Sequence, residues 1–578
     1  MSQVHFEIFR QVGKGGGWAL AEALDNRDAA ISRARQILAD GKAAAVRVVK
    51  ETFQPETGDY ISLTIFEDGK VTVAKKNKKT DDIENPMPCF KPDDLYSYHA
   101  RTTMSRILGE WLARQRLTVT ELLHSAAALE KFEATGTTYQ HAIQKIAVAQ
   151  ASDSNFPVAQ IMKQLNDLCT AAIHRVYKDE RRGLFQAVQP GKFGAFADRI
   201  SENPEARYIL NGILAKHLAT ANGWDAKLQF LLSLMHEIPA EGKARALLLT
   251  AIDTLVAEML NGAAALADLL GHNPDLGHAL LNLVELFLGT EVHVADGGGR
   301  GINELARFFA KDELAEARAA IAGRILSELR GMKRLCPASL DEELKMLRKL
   351  ANQLVRGQGK YLSHEDLIGA FTERSKRLVS HEPLLQYIKD CKTPDEKVER
   401  MLTVEENIIG AENKRSLSTF ILPMISTNNF EEQLLAGAPV MQRLKRVAEL
   451  QARVLRAGFQ EVQKNQLALA LDTVAQHIDD RAKFLHSIEV KFANPVECAQ
   501  TLLKLFTSGI FTQGDLATKA RRMLMASLSK PGFLAGYINH QEQQKRAAVD
   551  RDTVVSELAG QLQSIGIGAE EALRALAA

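Results

Sequence analysis

Between Pro439 and Val490 apolar residues return at intervals of three, four and seven. The first set is Leu444, Val447, Ala448, Val454, Leu455, Phe459 and Val462, and the second is Leu467, Leu471, Val474, Ile478 and Leu485. This spacing places each set along one side of a 3.6-residue helix and turns Arg443, Lys445, Arg453, Asp472 and Lys483 away from it. Such a stripe is stable only when another helix covers it. Similar patterns of roughly 12–22 residues with short breaks fill the chain from about residue 97 onward, as consecutive antiparallel helices require.

The first 74 residues follow a different period. Val4, Phe6 and Ile8 alternate with His5, Glu7 and Phe9, which predicts a strand. Glycines at 13 and 15–17 make a turn into a second strand from Trp18 to Leu24. Asn26 is placed to cap a helix whose apolar stripe is Ala30, Ala34, Ile37 and Leu38, with Gly41 just past its end. Strands at Ala45–Phe53 and Tyr60–Phe66 follow. The expected fold is therefore mainly α: a small N-terminal α+β (ββαββ) module, residues 1–74, and a large irregular multi-helical array, bundle or solenoid-like.

Residues 75–96 join the two. A lysine run at 75–79, acids at 81, 82 and 84, and three prolines disfavour both helix and strand there. Within the helical body, Asn203, Asn273, Thr393 and Asn494 each precede a proline suited to a first helical position. Ser339–Glu342 and Thr393–Glu396 have capping-box spacing. Gly223, Gly289 and Gly357 are candidate stops. No fixed tetratricopeptide, ankyrin or leucine-rich period is present. A break at Cys336–Pro337 divides the body into 97–336 and 337–578.

Charge and composition narrow the function classes. The 72 basic and 71 acidic residues leave a net charge of +1, which gives no global field toward nucleic acid or anionic lipid. Residues 1–74 carry nine basic and ten acidic side chains, so the sheet module lacks an RNA-binding footprint. Five separated cysteines form no CxxC pair, arguing against a cysteine zinc site or a disulfide framework. The apolar runs 246–260 and 278–289 are interrupted by Asp253, Glu258 and Glu285 and are too short to span a bilayer. No membrane association is expected, and with no signal-peptide pattern at the start the expected location is cytoplasmic.

The strongest chemical candidate is the loop 293–304. Gly297, Gly298, Gly299 and Gly301 leave backbone amides accessible, Arg300 adds a planar cationic fork, and a helix follows from about Asn303. Amides at a helix start beside an arginine can hold an anion, although the spacing is not that of a P-loop. His272, His278 and His293 lack the spacing of a helical zinc motif and are expected at the surface. The acids and bases of 404–415 are expected as solvated helix-end charges. So is the basic group Arg443, Lys445, Arg446, Arg453 and Arg456. Gln451 lies where two apolar sets meet, and is assigned to a helix edge.

No metal or cofactor is implied, and no catalytic motif emerges. The expected function is a cytoplasmic regulatory or scaffolding protein that binds a protein partner through helical surfaces. The alternative is a nucleotide- or anion-responsive regulator or enzyme using the 297–301 loop. Nucleic-acid binding through Lys75–Lys79 and Arg443–Arg456 is disfavoured by the balanced charge, and the sequence is silent on homo-oligomers.

Overall fold

The structure, a computed structural model, describes residues 4–11, 18–53, 60–69, 86–152, 156–294, 298–545, 548–568, 570–571 and 574–575. The glycines at 13 and 15–17, the turn at 54–59, the lysines at 75–79 and Gly297 lie outside the described residues. Among those described, four strands and 27 α-helices form a mainly α chain with one small antiparallel sheet. The backbone divides into two compact units. One comprises Met1–Thr103 with Gly136–Cys169, and the other Met104–Thr135 with Thr170–Ala578.

In the first unit the strands β1 (Val4–Gln11), β2 (Trp18–Leu24), β3 (Ala45–Phe53) and β4 (Tyr60–Gly69) lie in the order β2-β1-β3-β4. Neighbours are antiparallel throughout, with bulges at Ile8/Phe9 and Val48/Val49. Because β2 and β3 both oppose β1, they run parallel to each other, and the helix α1 (Arg27–Ala39) makes the crossover. Its Ala30, Ala34 and Ile37 pack on Phe6 and Ile8, which belong to the predicted alternation, and on Val46 and Val48 of β3. Asn26 caps α1 by accepting from the amides of Asp28 and Ala29 at 2.9 and 3.0 Å. Gly41 takes φ +69° just beyond it, the left-handed conformation glycine adopts without a Cβ penalty.

The same unit holds a helical cluster. Ile143 and Ala147 of the helix Thr137–Ser152 pack against Ile161 and Leu165 of the helix Val158–Arg181. The Gln150 amide donates to the carbonyls of Pro86 and Met87 at 3.2 and 3.4 Å, fixing that part of the proline-bearing stretch. A 3-10 turn, Pro92–Tyr96, follows, with Leu95 buried.

In the second unit helix starts are held by acids from other helices. A helix begins with four unpaired N–H groups and a positive dipole end, so a carboxylate aimed there is stabilising by about 1 kcal/mol. Glu258 accepts from the Thr120 amide at 2.8 Å, at the start of the helix Val119–His124. Asp253 accepts from the amides of Glu316 and Ala317, both at 2.8 Å, opening the helix Ala315–Arg330. Glu237 does the same for Phe193, and Glu180 for Ala126. The acids that interrupt the apolar run 246–260 are therefore clamps between helices. No single helix among the described residues is long and apolar enough to cross a membrane.

The Pro439–Val490 stretch forms the helices Val440–Arg456, Glu461–Ala482 and Phe484–Lys491. Leu444, Val447, Val454, Leu467, Leu471, Val474 and Ile478 are buried as the spacing requires. Three assignments within the stretch differ. Val462 is 63% exposed, because it falls in the first turn of the second helix, after the chain has reversed. Asp472 is buried rather than turned outward: it accepts from the Thr512 hydroxyl at 2.5 Å and the Asp515 amide at 2.8 Å, capping the helix Asp515–Leu528. Gln451 is 1% exposed, inside the packing and not at an edge.

Capping signals are reproduced in part. Asn494 caps as expected, and at Thr393 the Glu396 carboxylate accepts from the Thr393 amide at 3.4 Å as in a capping box; each has proline at the first helical position. At 273–275 the cap moves to Asp275, which accepts from the His278 amide at 2.9 Å, and Asn203 instead closes a turn two residues ahead of the helix Ala206–Leu218. Ser339 precedes the helix Leu340–Arg356 without a side-chain capping bond. Gly289 ends its helix at φ +71°, whereas Gly223 begins one. The break at Cys336–Pro337 falls inside the second unit.

Candidate functional site at the connector 331–338

Of the glycine loop, the structure places Gly298, Gly299, Arg300 and Gly301, and the helix begins at Gly301, two residues earlier than the spacing suggested. Two of its amides are already engaged. Gly301 N–H donates to the Asp225 carboxylate at 2.9 Å, and Gly299 N–H to the Leu269 carbonyl at 3.0 Å. A Cβ on Gly299 would sit 2.1 Å from Asp225 Oδ1, so the glycine is needed for the close approach of that carboxylate. The place where an external anion would meet the helix start is taken by an internal one. Arg300 is exposed. Just downstream, Asn303 accepts from Val292 N–H at 2.8 Å and donates to Val292 O at 3.2 Å, tying the loop to its own helix.

The other candidates resolve into helix packing. Glu405, expected at the surface, is buried with Lys414 Nζ at 2.6 Å and the Gly458 amide at 2.8 Å on the same oxygen. Arg446 bonds to Asp395 at 2.8 Å and also to Glu399, and Arg453 pairs with Glu406 at 2.9 Å. Arg443 donates to the carbonyls of Leu434 and Glu431. Much of the basic group is thus spent on neighbouring acids and carbonyls. His278 pairs with Asp275 at 2.7 Å, and His293 approaches Glu285 at 3.7 Å. Among the described residues no group of three His, Cys, Asp or Glu is arranged to hold a metal ion.

A different feature emerges at 331–338, between the helices Ala315–Arg330 and Leu340–Arg356. Arg374, of the helix His364–Leu378, is 2% exposed and donates to three carbonyls: Leu329 at 2.9 Å, Glu328 at 2.6 Å and Lys333 at 2.5 Å. These include last-turn carbonyls of the preceding helix, which have no intrahelical donor. Arg377 donates to Gly331 O. From the other side the buried Glu343 accepts from the amides of Leu335 and Cys336, at 3.1 and 3.3 Å, and from Arg334 Nε at 3.1 Å. Gly277 N–H closes on Leu335 O at 2.8 Å. Burial, with the Asp275 carboxylate nearby, pushes the Cys336 thiol up to about 12, so it stays protonated at neutral pH.

This well-held backbone presents its outer side chains to solvent. Met332 is 81% exposed, and Lys333 and Arg334 stand beside it. Two grooves meet at the connector and share Arg334 and Pro337. One, about 1080 Å³, runs between the starts of the Leu340 helix and the helix His381–Ile388 and is lined by Lys376, Arg377, Glu382, Tyr387 and Arg400. In it Tyr387 donates to Asp341; burial first and this bond second raise its phenol above the ordinary 10.0. The other, about 790 Å³, has an apolar floor of Leu266, Leu270, Leu280 and Leu283. Both have the size of ligand-binding clefts.

Sequence reading marked this place only as a Cys–Pro break. Arg374 lies 38 residues beyond Cys336 and carries no local signature, since nothing in its neighbours announces that it will be buried. Fold and site together define a multi-helical protein with a small sheet module and a rigid exposed connector between grooves. No protein-family model, curated protein or solved structure matches the chain.

Proposed function

We propose that the protein is a regulatory or scaffolding protein, without catalytic activity of its own, that holds a partner protein at the 331–338 connector. One observation carries this reading: a buried arginine spends its guanidinium on fixing a loop whose outward side chain, Met332, is 81% exposed. Burying an arginine is costly unless each donor is satisfied, and here it stabilises a loop with a thioether facing water. A flexible, polarisable methionine on a pre-ordered backbone is a recurrent means of protein contact. The same function through a nucleotide or anion at Gly297–Gly301 has less support, because Asp225 and Leu269 occupy the amides of Gly301 and Gly299.

The test places a photo-crosslinking residue at Met332, with Val490, 67% exposed, as control. Expected is one discrete protein adduct from Met332 in the native cell and none from Val490. Equal, diffuse labelling from both positions would remove the reading. So would turnover in a hydrolase or transferase screen that is lost on changing a residue of the connector.

A further inference from the structure

Charges around the connector are unevenly spent. The acids closest to it are each bonded within the chain: Glu343 to Arg334 and two amides, Glu328 to Arg324 at 2.8 Å, Glu373 to Arg377 at 2.9 Å, Asp275 to His278. By contrast the exposed side chains of Lys333 and Lys376 have no hydrogen bond or ion pair among the described residues, and Arg334 keeps one face of its fork open. Glu382 and Asp390 also line the larger groove, on the side of the His381 helix. The surplus of cation is therefore local to the connector and the last turn of the His364 helix. Beside it lies the apolar floor of the smaller groove, and Met332 stands on the wall of the larger one.

We propose that the docking element of the partner is an acidic segment carrying a large apolar side chain, its carboxylates meeting Lys333, Arg334 and Lys376 and its apolar group covering Met332 and the leucine floor. The proposal rests on the docking reading above and adds the chemistry of the partner. Charge complementarity carries it. Bringing a carboxylate to these three cations breaks no existing ion pair except the Arg334–Glu343 contact, in which the guanidinium has an unused edge. A basic segment would find the acids that flank the connector already bonded, and would have to reach Glu382 and Asp390 on the side of the His381 helix. Exposed ion pairs add little each, so affinity has to come from the apolar contact, and the charges set selectivity and rate.

The experiment uses the full chain and short fluorescein-labelled peptides, read by anisotropy: glutamate with leucine, lysine with leucine, and glutamate with serine. Expected is saturable binding of the glutamate–leucine peptide alone, weakening as salt rises because exposed charges are screened. The triple variant Lys333→Glu, Arg334→Glu, Lys376→Glu should weaken it about tenfold or more, and Met332→Ser about threefold to tenfold. All three lysine and arginine positions are at the surface, and an unchanged circular dichroism melt shows the variants fold. The proposal is overturned if the triple variant binds equally well, if the lysine–leucine peptide binds more tightly, or if no peptide binds. It is also overturned if sedimentation shows that a second copy of the chain covers Met332. A discrete Met332 crosslink to a partner whose linked segment is basic would sink this chemistry and leave the docking reading standing.

Discussion

Gln451 and Gln513, far apart in sequence, form a reciprocal pair: the Gln451 Oε1 accepts from Gln513 N–H at 2.6 Å, and its Nε2 donates to Gln513 O at 3.0 Å. The same Nε2 also donates to Ala468 O at 2.9 Å, so one side chain joins the Val440 helix, the Glu461 helix and the turn before Asp515. Asn303 treats the backbone of Val292 in the same reciprocal way. A side-chain amide has the donor and acceptor of a peptide group, so it can replace a missing strand or helix partner where the chain turns under cover. Buried polar groups of this kind specify one packing, since any other leaves them unpaired.

Gln451→Leu keeps the bulk and removes all three bonds. Leaving buried backbone groups unpaired is expected to cost about 2–3 kcal/mol. The corresponding readout is native-state hydrogen exchange of the Gln513 amide, which should quicken by roughly 30-fold for 2 kcal/mol. Exchange unchanged at Gln513 would mean that the bond contributes nothing.

At the glycine loop, Asp225 and Gly299 are expected to act as one unit. Asp225→Ala removes the cap on Gly301, and Gly299→Ala drives a Cβ into the same carboxylate, each lowering stability by about 1–2 kcal/mol. Because the clash needs the carboxylate, the double variant should melt well above the additive expectation. Thermal melts of the four proteins check this. Additive losses would show that Gly299 is required for some reason other than Asp225.

Much of the architecture was legible because it follows from period. The two-residue alternation of β1 and the three-four spacing of the Val440 helix needed no tertiary knowledge, and Phe6, Ile8, Leu444, Val447 and Val454 are buried in the structure. The errors share one cause. Asp472, Glu405 and Gln451 are polar, so local patterning turns them outward; they are buried because a helix start or an open carbonyl from a distant segment meets them. The candidate site failed in the same way. Glycines 298, 299 and 301 announce free amides, but Asp225, which accepts from Gly301, and Leu269, whose carbonyl accepts from Gly299, lie on other helices and are invisible to spacing.

Asp94 gives a pH dependence with a definite sign. The amides of Phe90 and Lys91 donate to its carboxylate at 2.9 and 3.1 Å and hold its pKa below the ordinary 3.8. A depressed acid stabilises the fold above its unfolded pKa, and that contribution disappears as pH falls through the lower, folded value. Protection of the Phe90 and Lys91 amides, corrected for intrinsic exchange, should therefore be full at pH 5 and decline below 3.8. Asp94→Asn should flatten this dependence. A decline centred above 3.8 would contradict the sign.

Arg374 is expected to control the connector's order. Arg374→Met leaves three carbonyls without their donor, a loss of about 3 kcal/mol, and Arg374→Lys recovers only part because an ammonium cannot reproduce the planar fork. Lys333 and Arg334 are themselves trypsin sites, so limited proteolysis reports directly on the loop. Cleavage after these residues should quicken in the order wild type, lysine variant, methionine variant. Equal cleavage in all three would show that the guanidinium does not order the connector.

The buried pair of Glu121 and Lys227 allows stability and specificity to be separated. Lys227 Nζ lies 2.5 Å from Glu121 Oε1 and 2.5 Å from Arg116 O, with both side chains at most 4% exposed. Glu121 also closes a capping box with Thr118. Lys227→Met strands a carboxylate in the interior and should cost about 3–5 kcal/mol. Glu121→Gln is expected to cost less, since glutamine keeps one acceptor oxygen for the ammonium, although its NH2 then faces the Thr118 amide that the second carboxylate oxygen had accepted from. Once glutamine is present, Lys227→Met no longer strands a charge; only the Arg116 carbonyl loses its donor. The double variant should therefore be more stable than Lys227→Met alone, with a coupling of about 2 kcal/mol or more in a double-mutant cycle. Urea unfolding of the four proteins measures it. A coupling near zero would mean that the ammonium is held by Arg116 O and the Trp224 ring, 5.4 Å away, and not by the carboxylate.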